Sequence, residues 1–430
     1  MKKELIFMLT AAALGTVFFS SITADKASAK TSGDYKYVVT GKKKKTCAIR
    51  KYLGKDKDVV IPEKIDGYTV TRIGNRAFKD NNKIESVKLP KHITIIGESS
   101  FYGCDELKDI TFSKKLHTIK KKAFAYCDNL KEINIPSNVK KITTYSFCHC
   151  GLLEKVTLPE GLTGIEKDAF AACYNLKEIN IPSSVKTIGD NAFFKCFALE
   201  TINLPEGLKV LGEDVFWMCD SLKETKLPDS LEKIGKAAFA YFPIENIYIP
   251  KNLKKSELGV AFNKSLVSTI TVAEGNKYYD SRDNCNAVVE TSTNTLVLGS
   301  KNTTIPDSVK AIGERAFSGS NIKEIVIPES VEKIEDYVFN YCDNLEKVNL
   351  SEGLVSIGNS AFGSCDKLNE ITVPASVKSL GEHAFYGSDN LKTINYRGSK
   401  AQWEKIKFIK DDDIEADWWS GVKINYDYKG

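Results

Sequence analysis

Phenylalanine returns every 23 residues along most of this chain. It stands at 78, 101, 124, 147, 170, 193, 216, 239 and 262, and resumes at 317, 339, 362 and 385, which makes thirteen units. Two windows show how alike the copies are: AFAYCDNLKEINIP begins at Ala123 and AFAACYNLKEINIP at Ala169. A self-similar period of this length rules out an ordinary globular core. It requires a solenoid, in which each unit buries its apolar face only against its neighbours.

Each unit has one grammar. The unit at Phe170 continues with Cys173, Leu176, Ile179, Ile181, Pro182, Val185, Ile188 and Gly189. Ile179-x-Ile181 alternates with period two, the mark of a short half-buried strand. Pro182 ends it, because a residue without an N–H cannot extend a ladder. Eleven of the twelve prolines occupy this position, Pro243 being the exception. Val185 and Ile188 turn a second apolar edge inward, and Ala192-Phe193-x-x-Cys196 has the spacing of one helical turn. The expected fold is a repeat solenoid of short parallel strands and short helical turns, about 4.8 Å per rung.

The pattern C-x-x-L-x-x-I-x-I/L-P-x-x-V/L-x-x-I-G-x-x-A-F resembles the BspA-like bacterial type of leucine-rich repeat, and residues 61–396 follow it. It departs from the commoner leucine-rich unit, where Asn or Cys forms a ladder after the strand. Pro and the second apolar edge stand there instead. The resemblance implies a secreted or cell-surface protein that binds other macromolecules, in a family linked to adhesion to host proteins or to other cells.

The breaks in the pattern divide the chain. Residues 1–29 read as a signal peptide: Lys2 and Lys3, an apolar run over 5–19, then Ala27-Ser28-Ala29 for the peptidase. Residues 30–60 are expected to form an N-terminal cap hairpin, with 61–275 and 305–398 as repeats. A hairpin insert at 276–304 is signalled by Ala287-Val288-Val289-Glu290 and Leu296-Val297-Leu298. An insert like this is known in the family, often with a second Cys near the place of Ser300, so the resemblance leaves a bridge from Cys285 open. Residues 399–430 are the expected C-terminal cap, its YRGSKAQWEKI similar to the family's closing segment, with Trp403 as an apolar plug and Trp418 and Trp419 after an acidic run. The units at Phe239 and Phe317 are one residue short in their first half and lack the repeat Cys, where a local change in curvature is expected.

Eleven cysteines in an exported protein would ordinarily suggest disulfides. Eight of them, at 104, 127, 150, 173, 196, 219, 342 and 365, fall three residues after the repeat Phe. Stacked copies point in parallel at rung spacing rather than toward each other, so packed thiols are expected. Cys47, Cys148 and Cys285 lie off this column and are the candidates for bridges. Cys148-His149-Cys150 invites a metal or thiol reading, but none of the four histidines is spaced as a ligand pair with another. No hydrolase, phosphate-loop or dinucleotide signature is present, so we expect no catalysis and no cofactor.

The formal charge of +5 falls to +4 without the leader, too mild to argue for nucleic acid. No segment after the leader is apolar enough to span a bilayer. The strand-flanking positions, such as Glu178 and Asn180 or Thr201 and Asn203, form a polar face with few anchors, Tyr248 being an exception. Aromatic residues gather just after the repeat Phe instead. There Phe194, Phe197, Trp217 and Met218, with Tyr248 on the strand side, are the candidate partner-binding residues; the other reading of these aromatics is packing along a corner. Lys42, Lys43, Lys44 and Lys45 are the candidate contacts for wall polymer or another anionic surface, or simply a solvated hairpin tip. The expected partner is an extracellular protein or glycan. The alternatives are a wall-associated scaffold held by the basic cap and, more weakly, an enzyme of unknown type.

Overall fold

The computed structural model describes residues 28–223, 225–242, 244–381, 383–409 and 421–430. Most of the expected leader lies outside them, as do Trp418, Trp419 and the acidic run before them.

The chain winds as a parallel β-solenoid with two ladders. The first is built from the strands that precede the repeat proline. Glu132–Asn134, Lys155–Thr157, Glu178–Asn180 and Thr201–Asn203 pair in parallel, Glu132 on Lys155 and Glu178 on Thr201. The second apolar edge is itself a ladder of two-residue strands, such as Lys141–Ile142, Gly164–Ile165 and Thr187–Ile188. In both ladders the central apolar side chain points in and its neighbours point out. Ile179 and Ile188 are buried, while Glu178 and Asn180 are exposed.

The third side of each rung is a corner of tandem turns. The spacing of Ala192, Phe193 and Cys196 closes as three overlapping turns rather than a helix, with Ala192 N–H donating to Gly189 O at 3.2 Å, Phe194 N–H to Asn191 O at 3.1 Å and Cys196 N–H to Phe193 O at 3.1 Å. The intervening amides reach the next rung: Phe193 N–H donates to Val215 O at 3.1 Å and Lys195 N–H to Trp217 O at 2.9 Å. This alternation places two residues of the corner in left-handed backbone, Asn191 (φ 54°) and Lys195 (φ 58°). A non-glycine residue there costs roughly 1–2 kcal/mol. The rung-to-rung hydrogen bonds that this geometry creates offset that strain, which is why the position admits Tyr126, His149, Ala172 and Met218 as well as Gly103, Gly319 and Gly387.

Inside the corner the repeat phenylalanines stack. Ring centroids are 4.9 Å apart for Phe78 and Phe101 and 5.5 Å for Phe147 and Phe170, close to the strand spacing. Tyr52 extends the stack at the N-terminal end, 5.2 Å from Phe78. Its strand, Thr46–Tyr52, forms a hairpin with Tyr35–Gly41 and pairs in parallel with Tyr68–Ile73, so the open end of the core is covered by the same ladder that continues it. At the other end Trp403 is buried against Tyr396, with centroids 5.1 Å apart.

The insert is a two-faced septum. Val288–Glu290 pairs antiparallel with Thr295–Leu298, and alternate side chains leave opposite faces. Val288 and Leu298 join the N-terminal core, while Val289 and Leu296 join the C-terminal one. The turn corner passes it without interruption: Tyr241 N–H donates to Asn263 O, Lys264 N–H to Ser318 O and Gly319 N–H to Asn340 O.

Candidate binding surface

The corner geometry determines which side chains leave the solenoid. Phe193 and Cys196 point inward and are buried, while Phe194 and Lys195 between them turn outward and are half-buried. Copies of these outward positions, and of the position after the repeat Cys that holds Tyr174 and Phe197, line up rung after rung, so a ring on one rung meets a ring on the next. Tyr102 and Tyr126 lie 5.2 Å apart, Tyr126 stacks on His149 at 4.6 Å, His149 meets Tyr174 edge-on at 6.3 Å, and Tyr174 stacks on Phe197 at 5.4 Å. Alongside runs a second row, with Phe194 stacked on Trp217 at 4.9 Å and Trp217 edge-on to Tyr241 at 6.2 Å. Tyr126, Tyr174, Phe197 and Tyr241 keep between 38 and 49% of their surface exposed, so these rings are neither core nor isolated surface residues.

Beside the first row, in the column that Phe194 continues, the corner is hollow. One repeat position carries Ala125, Cys148 and Ala171 in three successive rungs, and these form a small cluster against Tyr102, Tyr145 and Phe194. The resulting trough has a volume of about 350 Å³. Burial pushes the Cys148 thiol up to about 12, so at neutral pH it is a small neutral floor group and not a nucleophile. Burial also raises the Asp168 carboxyl in the trough wall above the usual carboxylate range, and Asp168 in turn raises the Tyr145 phenol beside it.

The sequence-derived candidates divide by place. Phe194, Phe197, Trp217 and Met218 share the corner. Tyr248 does not join them: it sits on the first ladder, its hydroxyl donating to Asp229 Oδ1 at 2.8 Å. Lys42, Lys43, Lys44 and Lys45 are all exposed at the tip of the N-terminal hairpin. The first ladder's outer face holds a shallow depression of about 480 Å³ lined by Lys155, Thr157, Glu178, Asn180, Thr201 and Asn203, with no ring in it. A larger cleft of about 640 Å³ beside the insert is charged, and its ions pair with one another, Lys255 with Glu290 at 2.9 Å and Lys236 with Glu257 at 3.2 Å.

All eleven cysteines are free and buried, including Cys47, Cys148 and Cys285. Cys150 belongs to the inward column and Cys148 to the trough floor, so the two thiols flanking His149 face different environments. Reading single units missed Tyr174, Tyr145 and Asp168, and weighed His149 only beside Cys148 and Cys150 for metal or thiol chemistry. The signal that finds them is the column: aligning units on the repeat Phe sets Ala125, Cys148 and Ala171 between Tyr102 and Phe194. Among the described residues no group of three or more His, Cys, Asp or Glu side chains is placed to hold a metal ion, and no helix is long and apolar enough to cross a membrane.

Comparison with known proteins agrees with this architecture. The BspA type Leucine rich repeat region matches residues 71–199, 140–267 and 298–415. A leucine-rich cell surface protein from Faecalibacterium prausnitzii is 24% identical, with a TM-score of 0.51, the match covering 90% of this chain and 99% of that one. A leucine-rich repeat protein from Bacteroides ovatus is 22% identical, with a TM-score of 0.52 and coverage of 92% and 99%. No curated protein matches the chain. With the repeat matched over most of its length, and the ladders and corner that the repeat builds in place, the chain belongs to the BspA-type leucine-rich repeat family.

Proposed function

We propose that this chain acts outside the cell as a non-catalytic binding protein and that the aromatic turn corner is its partner-binding surface. Membership of the family suggests a protein-binding role, and leucine-rich repeat solenoids are typically non-catalytic. The observation that carries the assignment to the corner is the unbroken, half-exposed row Tyr126, His149, Tyr174, Phe197 with Phe194, Trp217 and Tyr241 beside it. Binding energy concentrates in aromatic anchors of this kind, each worth about 2 kcal/mol or more when enclosed. Among the described residues, the polar first ladder offers a partner Tyr248, whose hydroxyl is already engaged, and the isolated exposed Val60 and Val326.

The test is a screen of residues 30–430 against immobilised extracellular matrix proteins, glycans and cell wall, followed by variants. Trp217→Ala with Phe197→Ala weakens capture of a protein partner at least tenfold while thermal unfolding stays as in the parent. Unchanged capture by a folded double variant would move the binding surface elsewhere.

A second reading concerns wall association. The exposed lysines 42–45, with Arg50 and Lys51 also exposed, favour contact with an anionic polymer. Replacing the four lysines by Gln then reduces wall binding at low salt only, because exposed charges are screened beyond about 8 Å at physiological ionic strength.

A further inference from the structure

The trough on the corner is built for a narrower class of ligand than a protein surface. Its floor of Ala125, Cys148 and Ala171 is small and apolar. Ring walls stand on both sides. Asp168, only 8% exposed, lines the wall, and its Oδ2 has no hydrogen-bond partner. The Lys122 ammonium lies 5.2 Å over the Tyr145 ring and the Lys195 ammonium 5.1 Å over the Phe194 ring.

Each feature removes a ligand class. Ring faces attract cations or flat apolar faces, but Lys122 and Lys195 already occupy two of them and repel a further cation. An anion would meet the Asp168 carboxylate. A wholly apolar ligand would leave the Asp168 Oδ2 without a donor, as it is in the free protein, and would gain nothing from it. A neutral sugar ring satisfies all three constraints. Its C–H face lies against aromatic walls, its hydroxyls donate to the carboxylate, and its oxygens accept from the ammonium groups. At about 350 Å³ the trough lies near the lower end of the ~300–1,000 Å³ range for small-molecule sites, which suits one or two rings of a longer chain.

We propose that the trough between Tyr102 and Phe194 binds a neutral pyranose unit of an oligosaccharide, with Tyr126 and His149 as the stacking wall and Asp168 as the hydroxyl acceptor. The inference rests on the corner being the binding face, and it adds the ligand that this part of the corner takes.

Titration of the protein with cellotriose, maltotriose and N,N′,N″-triacetylchitotriose, followed by calorimetry and by saturation transfer to the sugar ring protons, tests it. At least one trisaccharide binds saturably at one site. Tyr126→Ala and Asp168→Ala each weaken it at least tenfold, Ala171→Leu, which fills the floor, abolishes it, and Tyr341→Ala in the C-terminal half leaves it unchanged. Tyr126 is exposed, so its variant decides the matter should Asp168→Ala fail to fold. Failure of all three sugars to bind, or binding that Tyr126→Ala and Ala171→Leu do not alter, overturns the assignment. Loss of protein capture in Tyr126→Ala with no response to any sugar also overturns it, while leaving the corner as a protein-binding face. Sugar binding lost in Tyr126→Ala, with protein capture intact in the Trp217 and Phe197 double variant, keeps the trough and refutes the wider reading.

Discussion

The Sγ of Cys173 donates to the carbonyl oxygen of Phe147 across 3.2 Å. The same bond recurs along the column, from Cys104 to Phe78 at 3.1 Å and from Cys196 to Phe170 at 3.3 Å. Where the column carries serine, Ser265 and Ser388 bond the carbonyls of Phe239 and Phe362 in the same way, while the Ser320 hydroxyl is buried without a partner. The repeat cysteine is therefore both an apolar filler and the donor for a buried carbonyl, a dual role that explains why serine replaces it in these two units.

Replacing Cys173 by Ser is thus expected to be mild, changing stability by less than about 1 kcal/mol, whereas Cys173→Ala removes one of the two donors to the Phe147 carbonyl, leaving the Cys150 amide at 3.3 Å, and empties the buried volume of the sulfur, at a cost of about 1–2 kcal/mol. Urea unfolding of the two variants checks the order. Equal losses would mean that neither the donor nor the volume that serine retains contributes.

Thiol chemistry gives a second expectation. Burial pushes Cys104, Cys219 and Cys365 up to about 12, so the native protein should react slowly with a disulfide reagent at pH 8. Denatured without reductant, all eleven thiols should react. A count of seven or fewer would reveal at least two disulfides.

The left-handed corner position can be probed at Gly319, where φ is 72° and an added Cβ would lie 2.6 Å from Lys264 Cα. Gly319→Ala combines backbone strain of about 1–2 kcal/mol with that clash. Gly67, at φ 80° with nothing within 4 Å of an added Cβ, carries the strain alone. Gly319→Ala should therefore be the more destabilising by at least 1 kcal/mol on that scale, as read by thermal unfolding.

Two carboxylates predict opposite pH slopes. Lys108 and Lys57 hydrogen-bond Glu85 and hold its carboxyl down at about 2. A folded pKa below the unfolded one means that its stabilisation is present above about pH 4.3 and is lost as pH falls toward 2. Glu85→Gln should flatten that part of the profile, modestly and less in high salt, because the group is partly exposed. Asp168 is shifted the other way by burial. Its ionisation disfavours the folded state, so Asp168→Asn should be relatively stabilised at pH 7 and lose that advantage as pH falls through the carboxylate range. Parallel profiles for the two variants would contradict the assigned shifts.

Much of this architecture could be read from the period. Ile179, Pro182 and Cys173 identify a strand, its end and an inward column within one unit, because their chemistry is local. What one unit could not disclose depends on stacking. The second edge became a ladder because Ile142, Ile165 and Ile188 pair across rungs. The corner became turns because the Lys195 amide finds the Trp217 carbonyl rather than a helical partner. The trough escaped notice because Ala125, Cys148 and Ala171 are unremarkable singly and form a floor only when superposed. Tyr248, read from the sequence as a strand-face residue, stands on the strand Asn246–Ile249, on a different side of the rung from Trp217.

That separation supplies the most direct test of the central claim, that partners bind the corner and not the strand face. Hydroxyl-radical footprinting of the protein, free and bound to a partner captured in the screen, reads both faces in one measurement. The account predicts that Trp217, Phe197, Tyr174 and Tyr241 become protected on binding while Tyr248 reacts as before. Protection of Tyr248 with the corner rings unchanged would place the partner on the polar ladder and contradict it.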